Sequence, residues 1–157
     1  MRRSKLQKYS SVLTAVLAGA GSVALAPAAA NAAGNGLLNL PATDDTYASS
    51  ARKAAGFGAE NKLVAGVLGS DTKTSFLKFV VPAGTKVAGA RLSLATIGDV
   101  AGKVTVRRVA DNSWTEAKLT GATAPALGAT IASVTPLKNA ELVVDLKAVV
   151  KAPGTYS

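Results

Sequence analysis

The 157-residue chain contains no cysteine and no histidine. Without cysteine the chain has no disulfide, no thiolate nucleophile and no site for a lipid anchor, and without histidine it lacks the most common general base. Both absences together remove the usual zinc ligands. Any catalysis would depend on the nine carboxylates, on lysines or on hydroxyls. We therefore predict that the protein is not an enzyme. A small hydrolase that uses a carboxylate pair is the disfavoured alternative.

Aromatic residues are also scarce. There are three Phe, three Tyr and one Trp, although apolar residues make up 48% of the chain. Valine and leucine must therefore supply most of the packing, in a chain long enough for one domain with a core.

The first 32 residues have the order of a secretory signal peptide. Four basic residues precede the apolar run SVLTAVLAGAGSVALAPAAA, and Ala30-Asn31-Ala32 fits a signal-peptidase site. We predict a secreted protein whose mature chain begins at Ala33, with a lead-in over 33–41 and one domain over 42–157. An uncleaved anchor is the alternative, but the apolar run is short and interrupted by glycine and proline. Export by the general or the twin-arginine route stays open.

The positive charge is smaller in the mature chain than in the whole sequence. The net charge of +9 falls to +5 without residues 1–32, because four of the 18 basic residues are removed and all nine acids remain. A positive exported protein suggests an anionic polymer outside the cell as its partner. The alternative is that the charge serves solubility. No nucleic-acid-binding motif is present, and no membrane contact is expected after cleavage.

The hydrophobic pattern favours strands throughout the mature chain. In TSFLKFVVP (74–82), alternation places Leu77, Phe79 and Val81 on one face of a strand and the residues between them on the other. Similar alternation marks 87–99, 102–111 and 141–146, with a bulge predicted at Arg108-Val109. DLKAVVK (145–151) could form one helical turn, and 121–134 is weakly patterned apart from its end. Short strands bounded by Gly and Pro predict an all-β antiparallel sandwich.

Basic side chains are the main candidates for binding. Alternation places Lys78, Arg91, Lys103 and Arg107 on the outward faces of their strands. If these strands share a sheet face, the four side chains could form a stripe that binds the carboxylates of a uronate polymer. Tyr47 could add a surface for sugar stacking. The alternative is ordinary solvated strand faces, or charges that protect sheet edges.

Three further residues have two interpretations each. Trp114 lies in the polar run DNSWTE (111–116). It could be a structural plug, with its ring packed on Leu or Val and its N–H bonded to the backbone, or it could be a platform on which a sugar ring stacks. Asp44 and Asp45 are candidate ligands of a calcium ion, the one cofactor that the sequence suggests. Otherwise they make side-chain to backbone bonds that start a strand.

Several segments, in this order, resemble the DNRLRE-domain family of secreted carbohydrate-binding modules: Asp45-Thr46-Tyr47, 58–64, Ser75-Phe76-Leu77-Lys78-Phe79, 88–94, 106–116 and 154–157. The resemblance implies a jelly-roll sandwich that binds acidic polysaccharide such as alginate. It covers about 42–157. The sequence departs from the family after Trp114, and the family's final strands are missing. We therefore expect either an incomplete sandwich with an unpaired edge or a shortened variant with a protected edge.

The sequence thus predicts a non-catalytic module that binds an acidic extracellular polysaccharide. A structural or adhesive wall-associated module without sugar binding is the alternative function.

Overall fold

The computed structural model describes residues 12–17, 36–97 and 102–157, with only the backbone described for 12–17. These residues form strands and no helix, so none of the described part could cross a membrane as a helix. In chain order the strands are β1 Val12–Leu17, β2 Leu37–Pro41, β3 Asp44–Ser49, β4 Gly66–Leu68, β5 Asp71–Val81, β6 Val87–Ala95, β7 Val104–Val109, β8 Leu127–Val134, β9 Glu141–Asp145 and β10 Gly154–Tyr156.

The strands form antiparallel sheets, which confirms the predicted all-β sandwich. One sheet has the order β2-β1-β6-β9 and another the order β10-β5-β3, with β4 also paired to β5. The β7–β8 hairpin forms a separate two-stranded sheet. Side chains of all these sheets contribute to the packing described next.

The main core lies between the β5 sheet and the β6 sheet. Phe79 and Val81 of β5 are buried against Leu92 of β6 and Val144 of β9, with Leu77 packed beside them. These residues follow the period-two alternation of their strands, which places every second side chain on the inner face. The predicted placement of Leu77, Phe79 and Val81 on one face of β5 is therefore confirmed.

A second core covers the opposite face of β5. Phe76 packs there with Ala48 of β3, and Val109, Trp114 and Leu119 complete the cluster. The segment that follows β7 thus lies over the outer face of the β3–β5 sheet. Because both faces of β5 are covered, alternation along this strand does not separate buried from exposed residues.

Two glycines allow the covering loops to approach closely. A Cβ atom at Gly121 would lie 2.3 Å from the carbonyl oxygen of Ser49, and one at Gly58 would lie 2.5 Å from that of Glu116. Both distances are shorter than any tolerated contact, so the backbones can meet only where no side chain intervenes. A bridge between Gly56 and Thr120 joins the same two loops.

The structure contains the bulge, the strand near residue 134 and the helical turn that the sequence predicts, and only the strand differs in length. The ladder of β7 shifts register between Val106 and Arg107 and again before Val109, which confirms the predicted bulge. Strand β8 is longer than the short strand predicted at the end of 121–134, because hairpin pairing with β7 orders a weakly patterned segment. Leu146 accepts the N–H of Val150 at 2.9 Å, so the predicted single helical turn is present.

The predicted signal peptide lies mostly outside the described residues. Its segment Val12–Leu17 is β1, which pairs with β2 on one side and β6 on the other. The segment predicted as a lead-in contributes β2, which reaches Pro41. Cleavage after Ala32 stays a prediction.

Candidate functional site

Trp114 is buried, with 7% of its surface exposed. Its ring lies edge-on to Phe76, with ring centroids 6.0 Å apart at 65°. Leu119 and Val109 belong to the same cluster. The ring therefore packs as the plug interpretation predicts. The prediction that its N–H bonds to the backbone is wrong, because Nε1 has no hydrogen-bond partner among the described residues.

Lys78 lies on the outer face of β5, as alternation predicts, but it is buried there, so the predicted exposure of its side chain is wrong. Its ammonium group donates to the carbonyl oxygen of Trp114, lies 4.4 Å from the centroid of that ring, and is 3.2 Å from Oδ2 of Asp44. The physical reason is the loop that covers this face of β5 and supplies both a carbonyl and an aromatic face. Lys78 therefore joins two strands and a loop inside the protein.

Two hydrogen bonds join the segments that contain Asp44 and Glu116, and in each bond a backbone N–H of one segment donates to the carboxylate of the other. The N–H of Glu116 donates to Oδ1 of Asp44 at 3.1 Å, and the N–H of Asp45 donates to Oε2 of Glu116 at 3.3 Å. The carboxylate of Asp44 thus accepts a backbone N–H, but from a distant loop rather than from the start of its own strand as predicted. No group of three or more acids that could hold a metal ion occurs in the part of the chain that the structure describes. The calcium site at Asp44 and Asp45 stays a prediction.

Tyr47 belongs to a buried stack of rings. Its ring lies 4.2 Å from that of Phe57, nearly parallel at 14°. The guanidinium carbon of Arg52 is 4.6 Å from the Phe57 centroid, and Nζ of Lys73 is 5.9 Å from the Tyr47 centroid. Only 5% of Tyr47 is exposed, so its ring faces are used by protein contacts rather than presented to a sugar.

Asp71 anchors the start of β5 to the loop after β3. The hydroxyl of Ser49 donates to its Oδ1 at 2.7 Å, and the N–H of Ala51 donates at 3.2 Å. The Ser49 bond, the Ala51 bond and the nearby charges of Lys73 and Arg52 lower the pKa of Asp71, although partial loss of water opposes them. The carboxylate thus acts as a fixed negative charge that orders the loop.

Asp111 orders the turn that leads into Trp114. The N–H of Ser113 donates to its Oδ1 at 2.7 Å. Hydrogen bonds from the hydroxyl and the backbone of Ser113 lower the pKa of Asp111. This is the Asx-type turn expected where an aspartate precedes a change of chain direction.

The exposed face of the β7–β8 hairpin has a different character. Register pairs Thr105 with Ser133 and Arg107 with Thr130, and Lys103 directly precedes β7. All five residues are exposed. We call them the basic face: Lys103, Thr105, Arg107, Thr130 and Ser133.

Hydrogen bonds across the hairpin hold parts of this face in place. Nε of Arg107 donates to the carbonyl oxygen of Gly128 at 2.8 Å, and the hydroxyls of Thr105 and Ser133 lie 3.3 Å apart. The bond to Gly128 uses one of the five N–H donors of the guanidinium group and fixes its position on the hairpin. The face therefore combines an oriented cation with hydroxyl groups.

The two strands of the hairpin carry basic residues and no acidic ones. Residues 102–110 and 117–140 contain no aspartate or glutamate. Arg108 is also exposed on β7, next to Arg107. Cations without neighbouring acids produce a local positive potential that attracts anionic ligands.

The structure brings together only part of the predicted stripe. Lys103 and Arg107 share the basic face, whereas Lys78 is buried. Arg91 is exposed on β6, in a different sheet and directly opposite Asp145 of β9. The three hydroxyl residues of the face were not predicted. The available signal was the absence of acids from both hairpin strands, although their connection contains Asp111 and Glu116.

The structure is thus an antiparallel sandwich with an exposed sheet face that carries cations and hydroxyl groups. Comparison with family models assigns the chain more specifically. The model of carbohydrate-binding module family 96 matches residues 37–155, and the chain therefore belongs to this family. No curated protein matches the chain in a sequence search.

Proposed function

We propose that this protein is a secreted, non-catalytic module that binds acidic polysaccharide through the basic face. Membership of a carbohydrate-binding family supports the ligand class. The observation that carries the acidic specificity is the basic face itself, where Lys103 and Arg107 lie among hydroxyls with no acid in either hairpin strand. The resemblance to the DNRLRE-domain family supports a uronate polymer such as alginate.

The proposed contacts follow from the chemistry of the face. The guanidinium group of Arg107 binds a uronate carboxylate, in a bidentate manner where the approach allows it. Lys103 contributes a second charge, and the hydroxyls of Thr105, Thr130 and Ser133 bond sugar hydroxyls. Each contact on such an exposed face is weak, so affinity depends on several contacts along one polymer chain.

The test is a calorimetric titration with alginate oligosaccharide and with a neutral glucan of similar length. We expect saturable binding of the alginate only, and weaker binding as salt is raised from about 20 to about 200 mM, because salt screens exposed charges. Arg107→Ala and Lys103→Ala should each weaken binding severalfold. Lys151→Ala and Arg91→Ala are controls, since both residues are exposed cations outside the hairpin.

Several results would contradict this function. Equal affinity for the neutral glucan would remove the acidic specificity. A loss of binding in Arg91→Ala but not in Arg107→Ala would move the site to the β6 sheet. Absence of binding to any polysaccharide would favour the structural or adhesive function instead.

Two associated proposals concern export and calcium. We propose that residues 1–32 direct secretion and are removed after Ala32, which the mass of the exported protein would test. A calcium titration followed by thermal unfolding tests the ion at Asp44 and Asp45. An unchanged Tm at millimolar calcium would refute it.

A further inference from the structure

An apolar groove lies between β5, β6 and the β7–β8 hairpin, with a volume of about 500 Å³. Its floor is formed by buried core residues: Phe79, Leu92, Leu146 and Val150. The groove therefore reaches into the main core and is more than a depression of the outer surface.

The walls of the groove are only half-buried, although they pack against the main core. Leu77 and Leu94 come from the two facing sheets, and Val106 and Ile131 come from the hairpin. Each of the four side chains keeps part of its surface exposed. Apolar surface left uncovered inside a sandwich is surface that an apolar ligand would remove from water, which favours binding.

The chain itself borders the groove beside β5. The hydroxyl of Ser75 donates to the carbonyl oxygen of Val64 at 2.9 Å, and the N–H of Val109 donates to the carbonyl oxygen of Ser157 at 2.9 Å. Protein thus lies along this edge of the strand, so an occupant of the groove contacts side chains rather than a strand edge. A small molecule meets this requirement, and an added polypeptide strand does not.

The size of the groove matches one alkyl chain. An apolar cavity of ~150 Å³ holds a benzene ring, which corresponds to about 25 Å³ for each carbon atom. The volume of about 500 Å³ is therefore sufficient for a chain of about twelve to about sixteen carbon atoms. It also lies within the range of ~300–1,000 Å³ that is usual for small-molecule sites.

The solvent side of the groove is positively charged. Lys73, Lys103, Arg107 and Arg108 line the groove, and none of its lining residues is an aspartate or glutamate. Asp71 lies 3.9 Å from Nζ of Lys73 and offsets that charge. The other three cations are exposed, so they mark the side on which the groove meets solvent. An anionic head group is attracted to this side, while an apolar chain fills the interior.

We propose that the apolar groove binds an anionic amphiphile with a single alkyl chain, namely a fatty acid of about twelve to about sixteen carbon atoms. The alkyl chain lies against Leu77, Leu94 and Val106, and the carboxylate lies at the solvent side near Arg108. This binding differs from the polysaccharide contacts of the basic face, because its affinity depends on the length of the alkyl chain.

The test is a calorimetric titration of the full chain with octanoic, decanoic, dodecanoic and tetradecanoic acid, each below the concentration at which it forms micelles. Burial of one methylene group strengthens binding by up to about fourfold. We therefore expect the affinity to rise severalfold from each acid to the next until the groove is full. Dodecanol should bind more weakly than dodecanoic acid, and dodecyltrimethylammonium more weakly still, because the head group meets cations.

Methyl NMR locates the bound chain. The methyl resonances of Leu77, Leu94, Val106 and Ile131 should shift when dodecanoic acid binds. Leu119 lies in the second core on the other face of β5, so its methyl resonances should stay in place and serve as the internal control.

Leu94→Trp tests the interior of the groove. The larger ring takes up groove volume and should weaken dodecanoic acid about tenfold, the effect of about two methylene groups left unburied. Leu137→Trp is the matched control, because Leu137 is exposed and lies outside the groove. Circular dichroism establishes that both variants fold.

A charge exchange tests the solvent side and does not depend on the core variant. Arg108 is exposed, lines the groove and is not part of the basic face. Arg108→Glu should weaken dodecanoic acid about fivefold, the size expected for exposed charges, and should strengthen dodecyltrimethylammonium. Lys118→Glu is the control, because Lys118 is an exposed cation outside the groove.

Other outcomes overturn the proposal. An affinity that does not depend on chain length, or binding that leaves the groove methyl resonances unshifted, shows that the groove holds no alkyl chain. Equal affinity for dodecanol and dodecanoic acid removes the anionic head group. If alginate oligosaccharide shifts the same methyl resonances and the fatty acids do not, the groove belongs to the polysaccharide site.

Discussion

The ammonium group of Lys78 lies 4.4 Å from the ring centroid of Trp114, and both side chains are buried beneath the loop that follows β7. The same ammonium group is 3.2 Å from Oδ2 of Asp44 and donates to the carbonyl oxygen of Trp114. One cation thus satisfies a carboxylate, a carbonyl and an aromatic face where β5, β3 and the loop meet. The chain's single tryptophan is held in place by a lysine that its sequence pattern places on the surface.

We expect Lys78→Met to destabilise the protein by about 2 kcal/mol. Methionine retains most of the apolar stem but leaves Asp44 without its cation. The cost should be below the ~3–5 kcal/mol of a fully buried pair, because Asp44 keeps some contact with water. Urea unfolding followed by circular dichroism measures the change.

Lys86→Met is the control for this substitution. Lys86 is exposed in the turn before β6, and its replacement should change stability by less than about 0.5 kcal/mol. A double-mutant cycle with Lys78→Met and Asp44→Asn isolates the coupling free energy between the two charges. Equal effects of the two lysine variants would show that the buried contact contributes nothing.

Gly121→Ala should destabilise the protein by about 1–3 kcal/mol. The new methyl group would lie 2.3 Å from the carbonyl oxygen of Ser49, so one of two packed loops has to move. Gly56→Ala is the matched control in the same loops, where the new methyl group meets its nearest atom at 3.8 Å. Thermal unfolding measures both variants, and red-shifted Trp114 emission in the first would report loss of the cover. A Gly121→Ala protein as stable as the control would contradict the close approach.

Stability should fall in acid partly through Asp71. Its pKa is lowered in the folded state by the bond from Ser49, the bond from Ala51 and the nearby cations, so the unfolded chain binds a proton more readily. The contribution is fully present above the unfolded pKa of about 4 and is lost as the pH falls through the folded pKa. Unfolding midpoints measured from about pH 5 to about pH 2 should therefore decline less steeply in Asp71→Asn.

Ser49→Ala provides a second check on this pH dependence. It removes the hydroxyl that donates to Asp71 at 2.7 Å, so the pKa should rise towards its ordinary value and the acid slope should flatten in the same way. Parallel pH curves for the unmodified protein and both variants would show that Asp71 contributes no acid sensitivity.

Removal of residues 1–32 should loosen the sheet that contains β1. Strand β1 pairs with Leu37–Pro41 on one side and with β6 on the other, so its loss leaves both neighbours without that partner. We expect faster hydrogen exchange in β2 and along the facing edge of β6 in a 33–157 chain. Exchange in β3 and β5 should change little, and serves as the internal control. Unchanged exchange in β2 would mean that another segment takes the place of β1.

The strand pattern was predictable because it is local. Leu77 and Phe79 alternate with their neighbours, and pleated backbone alone places them on one face. The bulge near Val109 was visible as a change of phase. Strand β8 was underestimated because Gly128 and the alanines around it carry little pattern, and pairing with β7 orders them.

The candidate site was only partly predictable. Lys103 and Arg107 follow the alternation of β7 and lie on its exposed face as predicted. Their hydroxyl neighbours Thr130 and Ser133 come from a strand more than twenty residues away, so only the hairpin register joins them. Alternation placed Lys78 on the outer face but could not show that it is buried there, because it cannot detect a distant loop that covers the strand.

The sequence by itself determined the strand content, the inner face of the main core and the positive charge of the hairpin, because these depend on residue type and on neighbours along the chain. Only the tertiary structure decided that Trp114 and Lys78 are buried together, that Arg91 and Arg107 lie in different sheets, and that β5 and β7 border an apolar groove. The physical reason is that burial and strand neighbours depend on contacts between distant segments, which no local period records.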